Sequence, residues 1–328
     1  MNTQIKRAGF TALLAAAAAT VQAEVKINEN LSLDGYAIGS AVITEGTAPG
    51  NYGLLNTGRV FDSVKVALNG KYEDFSAKVS LIALDSSVLS NGVVNDAGLL
   101  DAYVTYKIEN LSITGGKYLG WLGYESFDSP NNAFISFSQA TYTSPYATGV
   151  KLDYAGDGFS TGVSVRDSQT GPGGAFFEGD GEFSDDLGYE AYFSYTGIKD
   201  LTLFAGAGYE DVDGVGFDDV LTTDFWAAYK VTEKLTLAGE FATTEDSTNS
   251  SWLALASYAV SEQLSVAGRV TASNGRATDG SNDTVGYGIA STYTLTPNFS
   301  LKGEATITDQ NAGGPDVARY ALQGLFKF

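Results

Sequence analysis

The sequence predicts an all-β fold on three observations. Apolar and polar side chains alternate along many segments, similar tight turns recur, and short connections alternate with long ones. We expect one antiparallel transmembrane β-barrel of about 16 strands, with short periplasmic turns and long extracellular loops. In residues 299–308, for example, apolar and small side chains occupy the odd positions and polar ones the even positions. Residues 264–271 and 235–242 alternate in a similar way. Such a strand offers one face to an apolar environment and the other to water.

Seven tight turns share a pattern in which Leu or Phe stands directly before Ser or Thr. Their Leu and Phe residues are Phe75, Leu111, Phe159, Leu201, Leu235, Leu264 and Phe299. Between the turns lie longer connections rich in Gly, Asn, Asp and Ser, such as residues 46–58, 168–186 and 274–283. A solenoid would repeat at a fixed spacing, whereas these turns are 29 to 48 residues apart. The spacing therefore favours a barrel with two unlike ends.

The alternation of turns and loops predicts where each strand begins. The expected first residues are Leu31, Val60, Phe75, Leu99, Leu111, Tyr146, Phe159, Leu187, Leu201, Val220, Leu235, Ser251, Leu264, Thr284, Phe299 and Asp316. An even number of strands leaves both chain ends on the turn side, as in outer-membrane barrels. After residue 23, no run approaches the roughly 18 apolar residues of a membrane-spanning helix.

The first residues of the chain have the features of a secretory signal. Lys6 and Arg7 precede a mostly apolar run over residues 8–21, and Val21-Gln22-Ala23 forms a small-residue cleavage site. We therefore predict a signal peptide over residues 1–23 and a single mature barrel over residues 24–328. The alternative is a buried N-terminal helix.

Composition excludes several classes of function. Acidic residues outnumber basic ones 39 to 19, which argues against a nucleic-acid partner. The chain has no Cys and no His, so thiolate zinc sites, disulfides and His-dependent catalysis are excluded. Asp-Gly runs at residues 180–181 and 211–214 lack the closing Glu of a calcium loop. We expect a protein that is not an enzyme and holds no cofactor or metal.

The two strand faces predict different surroundings. Two belts of aromatic residues lie at the ends of the apolar faces, as expected where a barrel meets the interfaces of outer-membrane lipid. The belt toward the long loops consists of Tyr146, Tyr189, Tyr209, Trp252, Tyr287 and Tyr320. The opposite faces carry six acids, Asp101, Asp153, Glu190, Asp224, Glu240 and Glu304. The basic residues predicted for the pore wall are Lys65, Lys78, Lys107, Lys117, Lys151, Arg166, Lys230, Arg269, Lys302 and Arg319. So many ionisable groups are costly in a dry core but can line water.

The last predicted strand has the features of a closing strand. It places Tyr320, Leu322, Phe326 and Phe328 on one face. A terminal aromatic after alternating apolar residues resembles the assembly signal read by the barrel-assembly machinery. Physically, the closing strand must present an apolar face to lipid and leave no unpaired edge.

The segment 115–150 carries a family resemblance. Gly116-Lys117 is followed by Gly-Tyr-Glu at 123–125, Ser-Pro-Asn-Asn at 129–132, Ser-Phe-Ser at 136–138 and Thr-Gly at 148–149. This pattern resembles the OmpL-like β-barrel porin family (porin-2), which implies an outer-membrane porin. Family members often carry Arg and His where this chain has Phe137 and Ala147.

The longest loop, residues 120–145, is the expected constriction of the pore, because long loops in compact folds tend to be functional. In general porins the third loop folds into the lumen. The predicted constriction residues are Glu125, Asp128, Asn131 and Asn132. We expect Glu125 and Asp128 to face Lys117 and Lys151 across the lumen. The alternative is a solvated surface loop.

The predicted function is a water-filled outer-membrane channel for passive diffusion of small polar solutes and ions. The alternative is a non-conducting, loop-plugged barrel that acts as an adhesin or anchors the envelope. An outer-membrane hydrolase would need His, and a soluble β-sandwich would leave the charged faces unexplained. The sequence leaves open whether the barrel is a monomer or a homotrimer.

Overall fold

The computed structural model describes residues 24–45, 52–54, 63–84, 96–126, 129–136, 146–167, 187–211, 219–244, 249–274, 283–310 and 316–328. The first nine strands are β1 (Val25–Lys26), β2 (Leu31–Glu45), β3 (Tyr52–Leu54), β4 (Ser63–Tyr72), β5 (Phe75–Leu84), β6 (Asp96–Ile108), β7 (Leu111–Leu119), β8 (Tyr146–Ala155) and β9 (Phe159–Arg166). The other nine are β10 (Gly188–Tyr195), β11 (Leu201–Glu210), β12 (Val220–Lys230), β13 (Leu235–Thr244), β14 (Asn249–Ala259), β15 (Leu264–Asn274), β16 (Thr284–Thr296), β17 (Phe299–Gln310) and β18 (Val317–Lys327). A single 3₁₀ turn, Ser129–Asn131, lies between β7 and β8 among the described residues.

Sixteen long antiparallel strands form a closed barrel. Each strand from β4 to β18 pairs with the next, β18 pairs with β2, and β2 pairs with β4. The two short strands β1 and β3 pair with β2. All sixteen predicted strands are present, and their first residues differ from the predicted ones by three positions or fewer. The two short strands were not predicted, because two or three residues are too few to show a period.

The predicted tight turns join neighbouring strands in two physical ways. Glu73, Glu109 and Asp200 have φ angles of 52°, 52° and 63°, the left-handed conformation used by compact hairpin turns. In the turns before β13, β15 and β17 a hydroxyl oxygen accepts from the backbone, as Thr232 Oγ1 does from the N–H groups of Lys234 and Leu235. The Ser, Thr, Asp and Asn residues near these turns thus have a direct structural role.

The two faces of the barrel wall have opposite character. In β10, Tyr189 and Phe193 are 40% and 48% exposed and point outward, whereas Glu190 and Ser194 are buried and point inward. Apolar side chains outside and polar side chains inside are expected of a barrel whose outer face meets lipid. The described residues contain no helix that is long and apolar enough to cross a membrane.

Outward aromatic side chains form most of the two predicted belts. Phe75 and Tyr106 stack at 4.6 Å near the turn end, and Trp252 and Tyr287 are exposed toward the loop end. Tyr146, which the sequence placed in the loop-end belt, is instead buried, with 3% exposure.

Candidate functional site

The described parts of the connection between β7 and β8 lie inside the barrel. These residues, 120–126 and 129–136, pack on inward-facing side chains of distant strands. Phe134 is fully buried in a cluster with Leu253 and Leu255 of β14 and with alanines of β12, β13, β15 and β16. Ile135 packs on Val42 of β2 and Ala321 of β18. We call residues 120–126 and 129–136 the inserted loop.

The inserted loop begins on the wall of β10. Glu190 Oε1 accepts hydrogen bonds from the backbone N–H groups of Trp121 (2.7 Å) and Leu122 (2.9 Å). The other oxygen of Glu190, Oε2, lies 3.0 Å from Nη2 of Arg166, and both side chains are fully buried. An ionised carboxylate is a strong acceptor for backbone amides, so this contact fixes the start of the loop.

The next two amides of the loop reach the next two acids of the wall. Gly123 N–H donates to Asp224 Oδ2 of β12 (2.7 Å), and Tyr124 N–H donates to Glu240 Oε1 of β13 (2.9 Å). Gly123 has a φ of 105°, in the region that favours glycine. The Tyr124 ring meets Trp226 edge-on at 5.6 Å, and burial raises the pKa of Tyr124 to about 12, so its hydroxyl stays protonated.

Arg269 of β15 binds two separate parts of the loop. Its Nη1 donates to Glu125 Oε1 (2.6 Å) and to the carbonyl of Ser136 (2.9 Å), and its Nη2 donates to Ser136 Oγ (3.1 Å). The guanidinium also lies 4.1 Å from the ring centre of Phe134. The predicted partners of Glu125, Lys117 and Lys151, are wrong. The amides of residues 121–124 hold Glu125 against the β15 side of the wall, where Arg269 is its partner.

The end of the inserted loop is held by β17. Glu304 Oε2 accepts from the N–H groups of Ile135 (2.6 Å) and Ser136 (2.9 Å), and its Oε1 accepts from the Ser136 hydroxyl. Lys302 is buried and donates its Nζ hydrogen bond to the carbonyl of Asn132 (2.6 Å). Glu304 and Lys302 are neighbours on one inward row. Glu304 accepts from loop N–H groups, and Lys302 donates to a loop carbonyl.

The predicted constriction asparagines hold the loop in place, one within the loop and one against β18. Asn132 Oδ1 accepts from Ser126 N–H (3.0 Å), and Asn132 Nδ2 donates to the Ser126 carbonyl (2.7 Å). Asn131 Oδ1 accepts from Lys327 Nζ (3.2 Å). Asp128, the remaining predicted constriction residue, lies outside the described residues.

The wall across from the inserted loop carries paired charges, with two lysines around one aspartate. Asp101 of β6 lies 3.6 Å from Lys65 Nζ and 3.5 Å from Lys78 Nζ, and it accepts from the Ser80 hydroxyl at 2.6 Å. The side chain of Lys65 is 4% exposed, whereas that of Lys78 is 26% exposed. Lys78 is therefore the member of this group that solvent reaches.

Lys151 of β8 lies near the first residues of the inserted loop. Its Nζ is 4.0 Å from Asp153, 4.8 Å from the ring centre of Tyr118 and 5.2 Å from that of Trp121. The side chains of Lys151 and Asp153 are 19% and 25% exposed. Both charges remain accessible to water inside the barrel.

The other predicted wall residues occupy different places. Lys107 and Lys230 are exposed on inward rows at the turn end of β6 and β12. Arg319 is half-buried, in register with Thr44 and Thr306. Lys117 is half-buried and in register with Ala102 and Thr148. That register puts Lys117 on the outward row, together with the exposed Val104 and Val150. Lys117 therefore does not share the inward row of Lys65, Lys78 and Lys151.

Sequence reasoning placed the acids of the inward rows beside water and missed their contacts with the loop. It also missed the aromatic stack of Tyr192, Phe204 and Trp226 beneath the loop, with centroid distances of 5.8 and 4.9 Å. Trp121 of the loop lies tilted on Tyr192 at 4.7 Å. The sequence nevertheless contained an indication of this packing. Apolar side chains at inward positions, such as Tyr192, Phe204 and Leu253, interrupt the polar rows where the loop packs.

The site has no arrangement for metal chemistry in the part of the chain that is described, since no group of three or more Asp and Glu residues there could hold an ion. What the arrangement provides is a fixed loop on one wall and accessible charges on the other. Such an arrangement can select solutes by size and charge.

A comparison with protein families matches residues 52–315 to the family described as "Putative beta-barrel porin-2, OmpL-like". No curated protein matches the chain.

Solved structures of outer-membrane proteins share the fold. The outer membrane channel DcaP of Acinetobacter baumannii has a TM-score of 0.66 at 15% identity, over 91% of this chain and 97% of that one. The anion-selective porin from Comamonas acidovorans has a TM-score of 0.64 at 14% identity, over 91% and 99%. OmpT of Vibrio cholerae, in a trimer form, has a TM-score of 0.59 at 12% identity, over 91% and 99%. At these identities the likeness establishes the fold alone.

Proposed function

Because the chain belongs to the OmpL-like β-barrel porin-2 family, we propose that this outer-membrane porin passes small polar solutes and ions by passive diffusion. One observation carries the proposal. The inserted loop is fastened to the wall of β10 to β18, while Lys78 of β5 and Lys151 and Asp153 of β8 keep 19% to 26% of their side chains exposed. Charges that stay hydrated inside a barrel support a water-filled path beside the loop.

The alternative of a loop-plugged, non-conducting barrel is not favoured. A plug would bury the charges of both walls, and burial of ionisable groups without partners is costly. The proposed channel needs no catalytic group, so we propose that the protein is not an enzyme.

A planar-bilayer recording tests the proposal directly. Purified folded barrel should give discrete conductance steps, and a plugged barrel should give none. Because the chain has no cysteine, a single introduced thiol can then locate the path. A charged thiol reagent should lower the step size of Lys78→Cys, whose side chain points inward.

Val79→Cys provides the matched control. Val79 is the next residue of the same strand and points outward, with 47% exposure. The reagent should leave its conductance unchanged. An equal change of step size in both variants, or an unchanged step size after modification of Lys78→Cys, would contradict a path along this wall.

We also propose how the mature barrel is made. The signal over residues 1–23 would be removed to leave Glu24 first, and the barrel-assembly machinery would insert the barrel into outer-membrane lipid. The trimer form of OmpT, a protein of the same fold, supports assembly as a homotrimer. Native mass spectrometry of the detergent-extracted protein tests both points. A mass that retains residues 1–23, or a mass of one chain only, would contradict them.

A further inference from the structure

Two carboxyl groups lie together behind the inserted loop. Asp224 of β12 is fully buried and Glu240 of β13 is 4% exposed. They accept from the consecutive amides of Gly123 and Tyr124, so their carboxyl groups are neighbours. They lie diagonally on neighbouring strands, since Asp224 is in register with Ala242 and Glu240 with Trp226.

Each of these carboxyl groups leaves one oxygen without a donor. Asp224 Oδ1 and Glu240 Oε2 are buried and have no hydrogen-bond partner among the described residues. A carboxylate oxygen can only accept, so two ionised carboxylates cannot bond to each other. One proton between them would turn one oxygen into a donor and satisfy both atoms.

The charges that face this pair are already matched elsewhere. On the β10 side Glu190 binds Arg166, and on the loop Glu125 binds Arg269. The Tyr124 hydroxyl is neutral, and Trp226 carries only a donor, Nε1, which is buried without an acceptor in the described part of the chain. Lys302 and Glu304 of β17 bind the far end of the loop. Within the described residues, no Lys or Arg forms an ion pair with Asp224 or Glu240.

We propose that Asp224 and Glu240 hold one proton between them at neutral pH and together make the ion preference of the channel depend on pH. This inference rests on the proposed function. The pair then adds one negative charge to the wall behind the loop at neutral pH, and two once the shared proton leaves in alkaline solution. The proton stays at neutral pH because two unpaired negative charges cannot be buried side by side without a large desolvation cost. Cation preference should rise with pH because loss of the proton adds the second negative charge.

The composition of the chain makes this titration visible. His and Cys are the side chains that ordinarily change charge between about pH 6 and 9, and the chain contains neither. Only the terminal amino group shares that window among ordinary groups. A change in ion preference within it reports an unusual buried group.

The test measures the reversal potential of single channels in a potassium chloride gradient from about pH 6 to pH 9. We expect the cation-to-anion permeability ratio of the unmodified protein to rise about twofold over this range, because one more charge acts at low effective dielectric. Glu240→Gln resembles the protonated state, so it should keep the neutral-pH ratio and lose the rise. Asp224→Asn with Glu240→Gln should lower the ratio at every pH.

Two matched variants separate this role from simple loosening of the loop. Glu304→Gln removes another wall carboxylate that holds loop amides, and Lys302→Gln removes a buried lysine on that side. Both should keep the pH-dependent rise. A pH-independent ratio in the unmodified protein, a full rise in Glu240→Gln, or its loss in either control would overturn the proposal.

A second measurement needs no variant and no conductance. The infrared difference spectrum of the folded barrel should show the carbonyl stretch of a protonated carboxyl at neutral pH, and this band should disappear in alkaline solution. Absence of the band at neutral pH would overturn the shared proton. Absence of any conductance would instead contradict the proposed function, and the infrared result would still decide the inference.

Discussion

Arg269 donates a hydrogen bond of 2.6 Å to Glu125, and the two buried residues are 144 positions apart in the chain. One belongs to the barrel wall and the other to the inserted loop. Because Arg269 also binds the carbonyl and hydroxyl of Ser136, a single guanidinium connects both described parts of the loop to β15. The size of the channel should therefore depend on this residue.

Replacing Arg269 should release the loop. Arg269→Gln leaves Glu125 buried without its cation, a change that costs about 3–5 kcal/mol in comparable buried pairs. We expect a larger and noisier single-channel conductance from a barrel that still folds. Adding Glu125→Gln to this variant should recover part of the stability, because the buried charge is gone. Lys230→Gln, a change of an exposed inward lysine at the turn end, is the control. Equal conductance in Arg269→Gln and Lys230→Gln would contradict the anchoring role.

The accessible lysines of the facing wall should favour anions. Neutralising both, as Lys78→Gln with Lys151→Gln, should move the reversal potential in a salt gradient toward cations, since charges near a narrow path are weakly screened. Lys199→Gln removes one positive charge in the short turn between β10 and β11, where the side chain is 92% exposed. It should leave the reversal potential within error. A shift of equal size in both proteins would mean that the wall lysines do not face the path.

Gly158 in the turn between β8 and β9 should resist substitution. Its φ of 76° is left-handed, and a Cβ there would lie 2.8 Å from Gly197 Cα. Gly158→Ala should lower the free energy of unfolding by about 1–2 kcal/mol or more. The midpoint of urea unfolding, followed by heat-modifiable migration, measures the change. Gly39→Ala is the matched control, because nothing lies within 4 Å of its added Cβ. Equal midpoints for the two variants would contradict the strain.

Phe328 should contribute to closing the barrel. Its backbone N–H donates to the Gly35 carbonyl (3.0 Å), and its carbonyl accepts from Gly35 N–H (2.8 Å). Phe328→Ala keeps these bonds and removes the aromatic ring, so we expect normal synthesis but less folded barrel in the outer membrane. The folded fraction on cold-detergent gels is the measurement. Tyr72→Ala removes an exposed outward aromatic of another strand and should assemble normally. A normal folded fraction in Phe328→Ala would rule out a role of the ring in assembly.

Local patterns were sufficient to predict the strands. A period of two depends only on which side of the backbone successive side chains point, and turns depend on a few adjacent residues. For this reason strands such as β5, β7 and β13 begin at the predicted residues, and Lys65, Lys78, Lys151, Arg166, Arg269 and Lys302 lie on inward rows.

The sequence by itself determined a sixteen-stranded barrel with an apolar outer face and a charged inner face. Only the tertiary structure decided where the longest loop lies and which charge each acid meets. The bonds from its amides to Glu190, Asp224, Glu240 and Glu304 join residues 68 to 169 positions apart. Backbone N–H groups are the same at every position, so no residue pattern indicates which carboxylate will receive them. Closure of the barrel brings those carboxylates together on one wall, and the loop amides bind there.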